Sequence, residues 1–459
     1  MSIIKSDLKP SSNVLNSYFP ARTNVKEGDF DWGVAKAIVI RNLYRKDINS
    51  KLKKIQAESS QKEKVILDVF LKQCKEDFLL KLDDEALWDY IKDMYFENNA
   101  IYEISPEFLL FKLAPLTASS SQHNLANMFS SMMRGYGLKE SITTVNNFLE
   151  SHILSSLRSE NILEDFEAGT RLLSKGINED AYLPFLSDCF NQDLDFLAHR
   201  PKYMLQQLEN LLRLYGYLYT AQLALNIKNL EQEPSPKPLY FIMENEAASR
   251  ERPDLVRHGH QSVQRFIPYI FPYLSMSESL QDTDKENNQH RLPLWKLITK
   301  LKPEDTPKLK KYAEDFSKNR HDDDDFKFPY EYENDDPKYW LNCLLIEAVK
   351  QFDKKKSRAA ANEKFIKTTE IELCSEFVKA RGQVGKVLVM NQDYISLITN
   401  LAIGGSDKLR FHELLESFKL RGICFDRQSQ KALIQFYERV GNVERMSDSG
   451  DAVYVRKTV

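Results

Sequence analysis

Between Asn391 and Val459 the hydrophobic period changes in the order helix, short strand, helix, turn, helix, hairpin. That is the order of a winged helix-turn-helix, which makes nucleic acid the first partner to consider. Val387–Met390 is a short β-prone run, and Asn391 after it can cap a helix by accepting an orphan amide bond. Tyr394, Ile395, Ile398 and Leu401 mark the inward face of that helix, which stops at Gly404-Gly405. Lys408–Phe411 is a candidate strand. Phe411, Leu414, Leu415 and Phe418 then form one helix face, with Gly422 as its C-terminal stop. Asp426 caps the next helix, where Leu433, Phe436, Tyr437 and Val440 form the expected buried stripe.

The opposite face of that last helix offers Arg427, Gln428, Gln430, Lys431, Ile434 and Gln435. In a helix-turn-helix the second helix enters the major groove, and Arg, Gln and Lys have the donors and reach to contact base edges there. Gly441-Asn442 turns the chain into two β-prone runs joined by Asp448-Ser449-Gly450-Asp451, a hairpin that would be the wing. Arg445, Arg456 and Lys457 lie along its strands and are candidate phosphate contacts. Asp448 and Asp451 at the tip would repel phosphate, so Asp448, Ser449 and Asp451 are candidates for docking a protein partner instead.

Composition places this segment on a larger helical body. The chain has 459 residues, enough for two to four domains, and only 15 glycines, which favours helices over a nucleotide-binding α/β fold. Residues 354–459 hold 19 Lys+Arg against 13 Asp+Glu, leaving 45 against 54 for the rest. A basic end on an acidic body suits an anionic partner at the C-terminus. Five cysteines lie far apart with no CxxC, the usage of a reducing compartment. No signal core and no long apolar run occurs, so the expectation is a soluble, cytoplasmic protein with no membrane partner.

Three regions follow from the patterning. Residues 1–235 read as a helical N-terminal domain of about eight helices. Val65, Leu67, Val69, Phe70, Phe78, Leu79, Leu82, Leu87, Tyr90 and Ile91 supply part of its apolar periodicity. Residues 236–353 read as a helical middle region with mobile acidic loops, entered through EQEPSPKP (231–238), a linker or tight crossing. Residues 354–459 are the basic C-terminal winged-helix domain. The expected class is therefore mainly α, a multi-helical body followed by a winged helix-turn-helix.

The segment RGICFDRQSQKALIQFYERVGNVERMSDSGDAVYVRKTV (421–459) resembles the C-terminus of the DptG (DndG) family. That family is the G component of the bacterial DNA phosphorothioation-dependent restriction system. RGQVGKVLVMNQDYISLITNLAIGG (381–405) and YFIMENEAASRERP (240–253) look like parts of the same family. The resemblance implies a non-catalytic subunit that works with the F and H components against DNA lacking phosphorothioate marks. It contacts double-stranded DNA, bridges those partners, or both. ATPase motifs belong to F and H, and no catalytic residue carries over.

Other chemistry has thinner support. No GxxxxGK[ST], HExxH or GxSxG occurs, so no nucleotide cofactor or metal is expected; Gly382-Gln383-Val384-Gly385-Lys386 reads as a turn into a strand. His258 and His260, with Glu244, Glu246 and Asp254, are the best nuclease constellation, which would make the chain a metal-dependent nuclease subunit. The plainer reading is an exposed polar loop in which Arg250 and Arg252 pair with local carboxylates. His321 with Asp322–Asp325 could hold a cation or form a solvated acidic loop, and 322–336 could mimic DNA. Lys354–Lys356 and Arg358 are a phosphate site or a helix-end charge cluster. A stand-alone winged-helix regulator remains the third class.

Overall fold

The computed structural model describes residues 3–10, 15, 19–21, 30–58, 62–81, 85–113, 120–139, 147–165, 179–281, 290–321, 327–331, 333–354, 356–446 and 452–459. Asp448, Ser449 and Asp451, the run Asp322–Asp325 and Lys355 lie outside them. The fold is mainly helical, with three small sheets among the described residues. It divides into two compact units. One comprises residues 30–176 and 190–212, with Val459. The other comprises 1–29, 177–189 and 213–458.

The first unit holds α1 (Trp32–Tyr44), β1 (Lys46–Ile48), α2 (Ser50–Glu58), α3 (Lys62–Leu79), α4 (Glu85–Tyr95), α5 (Ser120–Met133), α6 (Phe148–Leu157) and β2 (Leu163–Asp165). Asp31 starts α1 by accepting from the Val34 amide at 3.0 Å. β1 and β2 pair antiparallel. Two buried carboxylates organise this unit. Asp47 meets Arg41 at 2.5 Å and Lys53 at 2.8 Å, and Glu107 takes three guanidinium bonds from Arg158, at 3.0, 3.2 and 2.8 Å. Buried acids persist when paired and hydrogen-bonded in this way.

Two long helices, α7 (Pro184–Ala198) and α8 (Pro201–Asn226), each contribute residues to both units. They bring the count to eight α-helices up to residue 230 among the described residues, the number expected.

The second unit continues through β3 (Leu239–Met243), α9 (Pro253–Arg257), α10 (His260–Gln264), α11 (Ile270–Leu280), α12 (Leu294–Ile298), α13 (Thr306–Arg320), α14 (Pro337–Lys350), α15 (Ala359–Thr369), β4 (Val378–Arg381) and β5 (Gly385–Met390). It ends with α16 (Gln392–Ile403), β6 (Lys408–Arg410), α17 (Phe411–Leu420), β7 (Ile423–Cys424), α18 (Arg427–Arg439), β8 (Val443–Met446) and β9 (Ala452–Arg456). No described helix is long and apolar enough to cross a membrane.

Leu239–Met243, inside the stretch 236–353 read from sequence as helical, instead supplies the centre of a sheet. β3 runs parallel to β5 on one side and to β7 on the other, and β4 closes β5 antiparallel. A parallel strand covered on both faces needs a continuous apolar run rather than alternation. Phe241 faces Tyr217 and Phe377 (6.1 and 6.4 Å between ring centroids), and Phe377 meets Tyr394 at 4.6 Å. On the other face Ile242, Val387, Val389 and Leu255 pack together. The shared sheet joins residues 236–353 to 354–459, which the sequence reading set apart as two regions.

The proline-rich 231–238 stretch is a fixed crossing. Gln222 brackets Lys237, donating to its carbonyl at 2.7 Å and accepting from its amide at 2.8 Å, and Asn226 does the same for Ser235 at 3.1 and 3.2 Å. Side-chain amides thus replace the strand partner that a proline-rich chain cannot have. Gly422 lies against this crossing at φ 81°, where an added Cβ would come within 2.0 Å of the Gln222 amide nitrogen and 2.8 Å of the Lys237 carbonyl. Glycine is needed there for both conformation and space.

Candidate functional site

The parallel strands β3, β5 and β7 end at one edge, and two helices start there. Asn391 caps α16 by accepting from the Tyr394 amide at 3.0 Å, and Asp426 caps α18 by accepting from the Ser429 amide at 2.9 Å. Both caps match the sequence expectation. In open α/β sheets this edge is where a ligand crevice forms. Here a buried ion cluster fills it. Arg252, in the loop after β3, grips Asp426 with Nε and Nη2, each at 2.6 Å, and Nη2 also donates to Ser429 Oγ at 2.6 Å. Its Nη1 meets Glu246 at 3.1 Å and donates to the Ala247 carbonyl at 3.0 Å. Glu246 accepts from Ser429 Oγ at 2.9 Å and from the Met243 amide at 2.8 Å.

Every donor and acceptor around that guanidinium is used, which is what lets the charges stay buried. Burial alone would raise the Asp426 carboxyl. The hydrogen bonds from Arg252 and the Ser429 amide outweigh it and hold the carboxyl below its usual value. Sequence reasoning foresaw Arg252 with a local carboxylate and Asp426 as a cap. It missed the bond between them, because 174 residues separate the two and neither neighbourhood signals the other.

Outward from this anchor, α18 presents Arg427, Gln428, Lys431 and Gln435 as exposed residues, with Ser429, Leu433, Phe436 and Tyr437 buried behind them. Gln430 and Ile434 lie on the flank, half-buried, and the Gln430 carboxamide donates to the Phe425 carbonyl at 2.8 Å. Val440, expected in the buried stripe, caps the helix end and is 48% exposed. The helix stops one residue short of it, so its side chain leaves the inward face.

β6, β9 and β8 form a sheet in that order, with Lys408 opposite Arg456 and Val443 opposite Val455. Its cations are engaged. Arg445 pairs with Glu438, and Arg456 and Lys408 both pair with Glu444. Lys457 is half-buried.

The histidine constellation does not assemble. Glu246 belongs to the Arg252 cluster, Glu244 is exposed, and the His258 ring lies 5.9 Å from Tyr240. His260 is 1% exposed, and burial pushes its imidazole down to about 4. Among the described residues no group of three or more His, Cys, Asp or Glu is placed to hold a metal. His321 instead meets the buried Glu347 at 3.3 Å. Gly382, at φ 49°, turns β4 toward β5 as expected. Beside it an open cleft of about 540 Å³ is lined by Ser249, Arg250, Glu251 and Arg381. Comparison with protein-family models gives no match, and comparison with curated proteins gives none either.

Proposed function

We propose that residues 391–459 form a winged helix-turn-helix whose α18 contacts double-stranded DNA, within a non-catalytic subunit of a bacterial phosphorothioation-dependent restriction complex. The order α16, β6, α17, β7, α18, β8, β9, with the β6–β9–β8 sheet, supports the first part; β7, between the two helices, pairs with β3 in the parallel sheet. The observation that carries the reading is the outward face of α18. Arg427, Gln428 and Lys431 stand exposed on its first turns, while the one acid beneath them, Asp426, is matched by Arg252. A helix so armed can meet phosphates and base edges without a nearby uncompensated carboxylate.

Binding of the full chain to a duplex, followed by fluorescence anisotropy from 50 to 200 mM salt, tests this. Arg427→Ala with Lys431→Ala should flatten the slope of log K against log salt by about two, roughly one per lost phosphate contact. Unchanged affinity and unchanged slope would remove α18 from the interface.

Docking to the F and H components is the second use we assign to this domain. Arg445 and Arg456 are tied to Glu438 and Glu444, so the hairpin offers mixed charge, which suits a protein surface better than a phosphate backbone. Co-purification with F and H homologues is the check. No association under conditions that preserve the fold would sink the complex-subunit reading.

A further inference from the structure

Half of the large, exposed apolar side chains among the described residues lie on or beside three helices that pack around Phe78. They are Leu79 and Leu80 at the end of α3 (37% and 84% exposed), Leu87, Tyr90 and Met94 on α4 (40%, 71% and 58%), and Phe148 at the start of α6 (65%). Periodicity alone reads Leu79, Leu87 and Tyr90 as core, yet all three face outward.

α4 in fact has two apolar faces. Trp88, Ile91 and Tyr95 point inward and are buried, and Leu87, Tyr90 and Met94 repeat at the same three- and seven-residue offsets on the outside. A chain of rings joins the three helices beneath the patch. Phe78 lies 5.8 Å from Trp88 and 5.5 Å from His152, and His152 lies 4.4 Å from Phe148. The exposed residues therefore sit on one connected base. Apolar side chains repeated along one exposed helix face mark a binding face, whereas scattered exposed residues need no explanation.

The charges beside the stripe say what binds. Asp89 and Asp93 follow at a four-residue interval along the flank of α4 away from its buried side, and Glu97 lies just past the helix end; all three are exposed. Lys92, within the helix, is half-buried on the other flank. An acidic border repels nucleic acid and anionic lipid. It attracts a cationic edge laid beside an apolar stripe.

We infer that this face docks an amphipathic helix of a partner protein, with apolar residues at i, i+3, i+4 and i+7 and Lys or Arg along one flank. Such a helix would lie along Leu87, Tyr90 and Met94, the mode in which a groove takes the apolar side of a helix. The inference is independent of what α18 binds.

The test uses the full chain and two labelled, helix-favouring peptides of roughly eighteen residues, long enough to hold a helix on binding. Both carry the same leucine stripe. One has Lys at its polar positions and the other has Glu. The Lys peptide should bind at least tenfold more tightly. Tyr90→Ser with Met94→Ser should weaken it at least tenfold while leaving the thermal midpoint in place, since both positions are exposed. Asp89→Lys with Asp93→Lys should invert the preference between the peptides. Equal affinity for the two peptides, or no loss in the serine variant, overturns the inference. Two further results would also overturn it, by giving the face another occupant: self-association of the chain that the serine variant abolishes, or co-sedimentation with phosphatidylserine vesicles that it abolishes.

Discussion

α18 and α4 are both amphipathic helices with aromatic inner faces, yet their outer surroundings are opposites. At the start of α18 every buried charge finds a partner inside the chain, through Arg252, Glu246, Ser429 and Asp426. On the outside of α4 three apolar side chains stay 40% to 71% exposed. The first region is complete, so what it offers to solvent is polar and cationic. The second is incomplete, so what it offers is apolar area with an acidic edge. A surface's chemistry thus reports what the fold has already satisfied beneath it.

The sharpest way to break this contrast is to unmake the α18 anchor. Arg252→Ala leaves two buried carboxylates without their counter-charge and should cost about 3–5 kcal/mol in urea unfolding. Replacing the set together, Arg252→Met with Glu246→Gln and Asp426→Asn, should recover much of that loss, because fewer charges then need answering. If the single variant is as stable as the parent, the cluster is not what holds α18 in place.

Acid should act on the unit that holds α18 and leave the α4 face unchanged. The folded-state value of His260 is depressed to about 4, against about 6.5 in an unfolded chain. A depressed value means stability is fully present above about 6.5 and lost as pH falls toward 4, with a total of about 3 kcal/mol at stake. His260→Gln should remove that slope in thermal midpoints measured from pH 7 to pH 4. Asp426 is held below its usual value too, so its contribution is present above about 4 and fades below that. The triple replacement should flatten this lower window, while Tyr90→Ser on α4 should change neither window.

Gly422→Ala is the smallest perturbation of the three. It places a Cβ against Gln222 and the Lys237 carbonyl at a positive φ, and should cost about 1–3 kcal/mol. A near-neutral result would mean that the 231–238 crossing yields, and that β7 and α18 do not depend on it.

Much of the α18 region was legible in the sequence because its signals are local. Asn391 and Asp426 cap as their side chains allow. Leu433, Phe436 and Tyr437 turn inward by helical period, and the Gly441-Asn442 turn leads into the hairpin strands. What stayed hidden is long-range. Tyr240–Met243 is too short a run to separate from its Glu- and Arg-rich surroundings, so the central strand read as part of the helical middle region. Arg252 carries no mark of Asp426. Periodicity also could not tell which apolar side of α4 faces inward, since Leu87 and Tyr90 obey the same spacing as Trp88 and Ile91.

The central position of β3 has a consequence during synthesis. Its neighbours in the sheet, Leu388–Met390 and Ile423–Cys424, are translated some 145 to 185 residues later. At ordinary elongation rates of about 5–20 residues per second, β3 spends roughly 7 to 30 seconds with both edges unpaired. Five mostly apolar residues with two open edges are an invitation to mispairing. The nascent chain therefore has to keep that strand covered by other means until residues 385–424 arrive, and a message cut short before Gly385 would release a chain whose central strand has neither neighbour.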